Sequence, residues 1–597
     1  MKDEACKSIG LAGTELSRRQ TLQIAGTGAA GLIAPGIGTK KAKTKKRGST
    51  MPAAGTLITS APDLIVTPNT PDEVVLALHR IAFGPRPGDV DRVRSIGLEA
   101  YLHEQLHPVD SDDDECDQHL ADFTMRIAYP ATKQGKDLMP AIDEDRPFTC
   151  LNQSSDDLYK LVEGQNRGVN YQEVQRPIEE VKAAKIIRAT YSKWQLREVM
   201  TDFWHNHFSI DAYIDDPINK VMFPIYDRDV IRKNSLGNFR EFIGLVAKSQ
   251  PMLVYLNNYS SKASPANENY ARELFELHTL GAEHYYNDLY QEWSKVPGSA
   301  IGKPEGYIDQ DVYEAARAFT GWTIANGAYG RGERLPSNGE FYYYDAWHDP
   351  YQKRVLATDF DPYQPPMADG ERVLDLVAFH PGTAQFICKK ICKRLVSPNP
   401  PESLVQKAVH TWTTYQKDPV QISRVIHTIV TSDEFKTTYG KGMKLPFEAT
   451  IAFFRATESE VHPDGGLFGM LAQMGESMFN WPTPNGRPYD ASFWSGTMGM
   501  VSRWNSMQML TYGRPGVFEM RDPLPMPVGA GSFDEVCRYW EDRMLGRHLD
   551  SASHATLVAH ISSPFPTGVP DSGSAPYIDR TKELISLIAM TPDFHIR

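Results

Sequence analysis

The chain has 597 residues, of which 41% are hydrophobic and 23% are charged, a composition typical of globular proteins. The formal net charge is −12, although the first 47 residues carry ten basic and only three acidic side chains. The rest of the chain is therefore strongly acidic. Nucleic-acid binding depends on neutralising phosphates with basic side chains, so this charge argues against a nucleic acid as partner.

Residues 1–47 predict an export signal. Arg18 and Arg19 precede a weakly apolar stretch rich in Gly and Ala, and a basic run, Lys40–Arg47, follows it. The apolar stretch is too short and too polar for a membrane span, so no transmembrane segment is expected in the mature chain. The segment resembles a twin-arginine signal, which implies the twin-arginine export machinery as a partner and a periplasmic or extracellular location. Residues 48–66 are small, polar and proline-containing, and indicate a linker.

The body of the protein begins at about residue 67. Thr70 is predicted as an N-cap, with Glu73 completing a capping box, and Val74, Leu78 and their neighbours have helical spacing. The next stretch, residues 108–180, is acidic and weakly periodic, and we expect it to be a long surface excursion.

Helical periodicity returns after this excursion and dominates the remainder. The predicted helices cover residues 180–208, 228–248, 265–280, 309–320, 371–396, 402–416, 421–436 and 443–457. Few stretches alternate with the period of two that is typical of strands. The expected fold is mainly α, a multi-helix globular domain with long loops at 282–308 and 324–368 and little or no sheet.

The six cysteines favour buried thiols over a metal cluster, because no CxxC pair occurs. Cys388 and Cys392 are four residues apart on a predicted helix. A disulfide between Cys116 and Cys150 is the alternative that the sequence leaves open.

Six stretches together resemble the domain-of-unknown-function 1800 family and occur in that family's order. They are LHRIAFGPRPGDVDRV, REVMTDFWHNHFS, NENYARELFELHTLG, DVYEAARAFTGW, FHPGTAQFICKKICKRLV and NWPTPNGRPY. The resemblance implies a large bacterial protein, often with a twin-arginine signal, but it supplies no catalytic residues. It places a family domain at 67–510 and leaves 511–597 as a C-terminal extension packed on that domain.

The stretch FWHNHFSI, residues 203–210, carries the first candidate site residues. If the helix continues through it, His205 and His207 point about 200° apart and cannot bind one metal ion. His207 then shares a face with Phe203 and is expected to pack inward, while His205 and Asn206 are catalytic candidates. If the helix ends near Trp204, both histidines point the same way.

A second set lies on the helix predicted over 265–280. Asn269, Arg272, Glu273 and Glu276 fall on one polar arc, whereas His278 falls on the apolar arc. Two carboxylates three residues apart suit acid–base catalysis or metal ligation, and we predict all four residues as catalytic. With His205, both glutamates form a candidate ligand set for a divalent metal ion. The alternative is a solvated face with i, i+4 ion pairs.

The remaining candidates are aromatic and lie in loops, where binding residues concentrate. Tyr343, Trp347, His348 and Asp349 follow one another in the loop 324–368, and Trp481 lies in a proline-rich turn. Flat aromatic faces with polar neighbours suit sugar stacking, so we predict these five residues as substrate-binding. The competing interpretation is that the rings anchor the loops to the core.

These features favour an exported cell-envelope enzyme, a hydrolase or lyase acting on a polymer such as a polysaccharide. Metal-assisted and metal-free versions both fit the candidate residues. The alternative function is a non-catalytic envelope protein that binds or assembles other components. The sequence contains no GxSxG, P-loop, HExxH or dinucleotide fingerprint, which argues against serine hydrolases and nucleotide-dependent enzymes.

Overall fold

The computed structural model of the chain describes residues 71–597, apart from 135–136, 166–168, 331, 523, 526, 528–529, 564, 566–567 and 571–572. The predicted signal at 1–47 and the linker at 48–66 lie outside the described residues. The described part is mainly helical, which confirms the predicted fold class. No described helix is long and apolar enough to span a membrane.

Short and medium helices follow one another along the chain. They are Glu73–Arg80, Asp89–Ile96, Leu98–Leu106, Asp114–Asp122, Ser155–Gln165, Tyr171–Tyr191, Gln195–His207, Pro217–Val221, Phe223–Ile225, Phe239–Lys248, Gln250–Tyr255, Asn269–Glu273, Asp309–Ala318, Ala368–Ala378, Pro381–Leu395, Glu402–Thr414, Gln421–Val430, Asp433–Thr437, Pro446–Thr457, Gly465–Gln473, Ala491–Trp494, Thr497–Tyr512, Phe533–Leu545, Ser551–Ser562, Ala575–Met590 and Pro592–His595. Two further segments, Tyr226–Arg232 and Leu274–His278, are π-helical.

The sheet content of the described residues consists of antiparallel two-stranded pairs. The paired strands are Thr124–Tyr129 with Ile142–Pro147, Thr132–Gln134 with Asp137–Met139, Trp322–Asn326 with Ser337–Tyr343, Lys353–Val355 with Thr358–Phe360, and Glu460–Val461 with Phe518–Glu519. Two pairs lie within the loop expected at 324–368 or at its edge, so that loop consists largely of hairpins.

The acidic stretch 108–180 contains more regular structure than its weak periodicity predicts. It holds two helices, two hairpins and the start of the long helix Tyr171–Tyr191. That long helix begins where the Asn170 side chain accepts a hydrogen bond from the backbone N–H of Gln172, 2.9 Å away. Fifteen of its 21 residues are buried, so most of the helix lies within the core.

The first described helix begins two residues later than predicted. The Asp72 carboxylate accepts a hydrogen bond from the backbone N–H of Val75 at 2.9 Å, so Asp72 is the N-cap in place of Thr70. Asp and Thr are both good N-caps, and the local sequence offers no means of choosing between them.

The segment after residue 510 packs on the rest of the protein. The ring of His79, in the first helix, contacts the backbone carbonyl of Leu545 at 3.2 Å, and Lys444 Nζ donates to the carbonyl of Phe594 at 2.7 Å. The described residues form one compact unit. The five described cysteines are buried free thiols, and Cys116 and Cys150 are not joined.

Candidate functional site

The helix Gln195–His207, which we call the histidine helix, positions the first candidates. Leu196, Val199, Met200 and Phe203 recur at helical spacing and are fully buried or nearly so. The helix continues through His207, so the two histidines point to different sides, as the helical alternative predicted. His205 contacts Asp227. His207 lies on the opposite side of the helix, where it contacts His278 and Lys390.

His205 and Asp227 form a buried dyad. His205 Nε2 lies 2.9 Å from Asp227 Oδ1, and both side chains are almost inaccessible to solvent. Arg188 and Arg232 approach the same carboxylate at 3.5 and 3.7 Å. A carboxylate with two guanidinium groups stays ionised, so it accepts the His205 Nε2–H and orients the ring.

The pKa values of the dyad follow from these contacts. Burial alone would raise the pKa of Asp227, but Arg232, the His205 hydrogen bond and Arg188 outweigh it, and the pKa lies well below its usual range. Burial lowers the pKa of His205 below 6.5, against the opposing effect of Asp227. At neutral pH the dyad therefore contains a neutral imidazole and a carboxylate.

Aromatic rings surround His205. The centroids of Phe223, Tyr226 and Phe479 lie 5.6, 5.7 and 4.9 Å from the imidazole centroid. Phe479 has a φ of +53°, a left-handed conformation that is costly for a bulky residue. Strained backbone of this kind concentrates at functional sites, where the surrounding structure holds it in place.

Asn206 fixes the proline-rich loop, residues 480–490, onto the histidine helix. Its Oδ1 accepts from the backbone N–H of Arg487 at 2.6 Å, and its Nδ2 donates to the Arg487 carbonyl at 3.0 Å. Gly486, with a φ of +74°, makes this approach feasible, because a Cβ there would lie 2.2 Å from the Asn206 carbonyl oxygen. Asn206 is thus a loop-positioning residue in this structure.

A second set of buried charges lies beside the dyad. Asp202 accepts from Lys185 at 2.5 Å and from Arg487 at 3.0 and 3.1 Å, and Arg487 also pairs with Glu476 at 3.2 Å. We call Lys185, Asp202, Glu476 and Arg487 the charge cluster. Each of its carboxylates has a cationic partner, which is the condition under which charges are tolerated in a core.

His207 packs inward, as predicted, and is 1% exposed. Its Nε2 lies 3.2 Å from the backbone carbonyl oxygen of His278, and its Nδ1 lies 2.8 Å from Lys390 Nζ. His278 is also buried, in agreement with its position on the apolar arc. The two π-helical segments therefore each supply a partner to the histidine helix: one carries Asp227 and the other carries His278. Such wide turns are often found at functional sites.

The predicted arc of Asn269, Arg272, Glu273 and Glu276 is not a regular helix face. The α-helix ends at Glu273 and a π-helix follows, so an extra residue per turn shifts later side chains out of the expected phase. Leu277, predicted on the apolar arc, is only partly buried, and Glu273, the last residue of the α-helix, is buried.

These four residues have their own partners. Arg272 pairs with Glu268 and with Asp309, both at 3.1 Å. The pair with Glu268 is an i, i+4 pair of the kind that the solvated-face alternative predicted. Asn269 Nδ2 donates to the carbonyl of Leu256 at 3.3 Å. Burial raises the pKa of the Tyr307 phenol, and the negative charges of Glu276 and Glu273 raise that pKa further.

The described residues contain no group of three or more His, Cys, Asp or Glu side chains with the arrangement of a metal site. His205, Glu273 and Glu276 are therefore not brought together as the expected ligand set. The reason is that His205 turns toward Asp227, a residue 22 positions along the chain.

The predicted binding residues of the aromatic loop are largely anchored. Asp349 pairs with Arg317 through two hydrogen bonds of 2.8 and 3.0 Å, and His348 contacts the Thr320 carbonyl at 3.0 Å. Tyr343 lies against His348, with ring centroids 5.8 Å apart, and Trp347 carries Lys262 on its face at 4.1 Å.

A polar cavity of about 520 Å³ opens beside this loop, and it is lined by Gln310, Glu314, Gln352, Lys353, Arg354, Asp359, Phe360, Asp361 and Pro362. None of the five predicted binding residues lines it. Trp481 lies elsewhere, against Phe493 and Trp494 at centroid distances of 6.1 and 6.4 Å.

Several residues that complete the site were not predicted. They are Lys185, Arg188, Asp227, Arg232, Lys390, Glu476 and Arg487. Arg487 belongs to a stretch that the sequence singled out, but its partner is 285 residues away. The sequence contains one weak indication of Asp227 as a site residue, namely its position among charged residues in an otherwise apolar stretch.

The fold and the site define a mainly helical protein built around a buried centre of histidines and paired charges. The chain belongs to the family described as "Protein of unknown function (DUF1800)", whose family model matches residues 76–596. The match continues past residue 510, so the segment predicted as an extension lies within the family region. No curated protein and no solved structure matches the chain.

Proposed function

We propose that this chain is an exported enzyme of the cell envelope, a hydrolase or lyase that acts on a polymer such as a polysaccharide. In this proposal His205, oriented by Asp227, is the acid–base catalyst. The observation that carries the proposal is their buried hydrogen bond of 2.9 Å, which leaves Nδ1 as the ring nitrogen that exchanges a proton with substrate.

The electrostatics support a base at neutral pH. A general base must be unprotonated before it acts, and burial keeps the pKa of His205 below 6.5. In hydrolysis His205 Nδ1 takes a proton from the attacking water, whose oxygen bonds to the anomeric carbon while the glycosidic oxygen departs with the bonding pair and takes up a proton from solvent. In elimination it takes the proton from the carbon next to a sugar carboxylate, and the glycosidic oxygen departs with the bonding pair. The negative Asp227 stabilises the imidazolium that results in either case.

Access to the dyad is part of the proposal. The His205 side chain is only 4% exposed, so a substrate reaches it when the covering Phe479 ring moves aside. Phe479 immediately precedes the loop that Asn206 fixes, and Trp481 lies within that loop. Trp481 is therefore the predicted binding residue that we place nearest to the catalytic centre.

The polymer assignment depends on ring faces that can stack on sugars. Tyr343 and Trp347 are partly exposed, as is Trp481. His348 and Asp349 hold their loop in place through Thr320 and Arg317, and we assign them that positioning role.

No metal ion is required for this chemistry, because the dyad supplies the proton acceptor. Asn269, Arg272, Glu273 and Glu276 have no role in the proton transfer that we propose, which uses His205 and Asp227. Export through the twin-arginine machinery to the periplasm or the exterior completes the proposal and rests on Arg18 and Arg19.

The test uses purified full-length protein and a panel of envelope and uronic-acid polysaccharides. Hydrolysis is followed by new reducing ends and elimination by the ultraviolet absorbance of unsaturated products. The variant His205→Gln should lose at least about a hundredfold in activity, because general base catalysis contributes that much. The control is His427→Gln, which removes an exposed histidine paired with Glu99 at 2.7 Å and should leave activity unchanged. Parental activity in a folded His205→Gln variant would refute the catalytic role.

A second function, a non-catalytic envelope protein that binds or assembles other components, is favoured by the charge cluster. Its four members connect two distant parts of the chain, 185–202 and 476–487, and are mutually paired, as expected of a purely structural network. Under this alternative the parent binds a polymer without cleaving it, and His205→Gln changes stability while binding is preserved.

A further inference from the structure

Lys390 contacts His207 on the side of the histidine helix opposite the dyad. It lies on the helix Pro381–Leu395, and its Nζ is 2.8 Å from His207 Nδ1. The other ring nitrogen, Nε2, lies 3.2 Å from the backbone carbonyl oxygen of His278. A carbonyl oxygen can only accept, so Nε2 carries the proton and Nδ1 presents its lone pair to Lys390.

The surroundings of Lys390 disfavour an ammonium ion. Among the residues that the structure describes, no carboxylate lies within ion-pair distance of its Nζ, and the face of Phe386 is 5.3 Å away. Its neighbour Lys389, in contrast, pairs with Glu283 at 3.5 Å. Burial and the charge of Lys393 lower the pKa of Lys390 to about 7. The residue is nevertheless partly exposed.

We propose that Lys390 is a nucleophilic amine that forms a Schiff base with an aldehyde, with His207 as its proton acceptor. Three observations point the same way: the close His207 Nδ1 contact, the absence of a paired carboxylate among the described residues, and the partial exposure. Desolvated lysines beside another basic group are the ones that react with carbonyl compounds. The inference is independent of the dyad, since His205 faces away from Lys390.

The step balances without an oxidant or reductant. The Lys390 Nζ lone pair attacks the aldehyde carbon, the carbonyl π pair moves to oxygen, and that oxygen takes up a proton from solvent water. The amine loses one proton to His207 Nδ1. The resulting carbinolamine expels hydroxide, which leaves as water with the proton returned by His207, and the protonated imine releases its N–H proton to solvent to give the neutral imine.

The experiment treats the folded full-length protein with acetaldehyde and sodium cyanoborohydride at pH 7, so that any imine is trapped as an ethylated lysine. Peptide mapping by mass spectrometry then gives the labelling rate of every lysine in one sample. Lys390 should be labelled at least about tenfold faster than Lys389, because a larger fraction of its amine is neutral. Equal or slower labelling of Lys390 overturns the proposal.

Two variants separate the roles of the residues. Lys390→Arg keeps a cation and should remove the fast-labelled site, whereas the matched control Lys389→Arg should leave it intact. His207→Gln should slow labelling at Lys390 while Lys389 is unaffected. Unchanged Lys390 labelling in a folded His207→Gln protein refutes the proton acceptor. If that variant does not fold, the ratio of rates in the parent still decides the proposal.

Discussion

The substitution Gly486→Ala tests whether the proline-rich loop is held against the histidine helix as closely as the structure has it. The added Cβ would lie 2.2 Å from the Asn206 carbonyl oxygen and 2.8 Å from its Oδ1. The loop must therefore move, and both hydrogen bonds between Asn206 and the Arg487 backbone are lost. Each buried hydrogen bond contributes about 1 kcal/mol, and the left-handed conformation costs a non-glycine residue about 1–2 kcal/mol. We expect a total loss of about 3–4 kcal/mol.

The matched control is Gly516→Ala. Gly516 has a φ of +73°, almost identical to that of Gly486, but nothing lies within 4 Å of its Cβ position. This variant should lose only the conformational part, about 1–2 kcal/mol. The assay is urea denaturation of both variants and the parent, with the midpoints compared at constant slope. Equal losses in the two variants would show that the loop does not approach Asn206 closely, and the reasoning would fail.

Three further predictions follow from the buried charges and the signal. Asp227→Asn should cost about 3–5 kcal/mol in urea denaturation, because it leaves two partly buried arginines undercompensated, while the exposed-pair control Asp143→Asn should change stability little. The pKa of His278 is lowered to about 3 by burial, so the unfolded chain binds the extra proton and stability should fall as pH drops from 6.5 toward 3. His278→Phe should make that decline in melting temperature shallower, and an unchanged slope would contradict the assignment. Replacing Arg18 and Arg19 by Lys should retain the protein in the cytoplasm, as detected by fractionation, and normal export would contradict the signal assignment.

The predictions that succeeded depend on local periodicity. The helical class, the inward position of His207 and the divergence of His205 from His207 all follow from a period of 3.6 residues, which a sequence displays directly. The same reasoning failed for the polar arc predicted over 269–276, because a π-helix replaces the α-helix at Leu274–His278. A π-helix needs one more residue per turn, and that change leaves no recognisable pattern in the side chains.

The partners of the candidate residues could not be predicted for a different reason. Asp227 is 22 residues from His205, and Arg487 is 281 residues from Asn206. Periodicity reports which side of an element a residue occupies, but not which distant element packs there. His205 was therefore placed on the correct helix, but Glu273 and Glu276 were predicted as its partners in place of Asp227.

The pairing of Asn206 with Arg487 has a consequence for biosynthesis. A ribosome must add 281 residues after Asn206 before its amide partner exists. Until then Lys185 is the only cationic partner of Asp202 within the charge cluster, and Glu476 lacks its ion pair with Arg487. The centre of the molecule is thus completed late in translation, and a prematurely terminated chain carries unmatched charges that favour its removal by cellular proteases. A transport route that accepts only folded cargo would, by the same contact, reject incomplete copies.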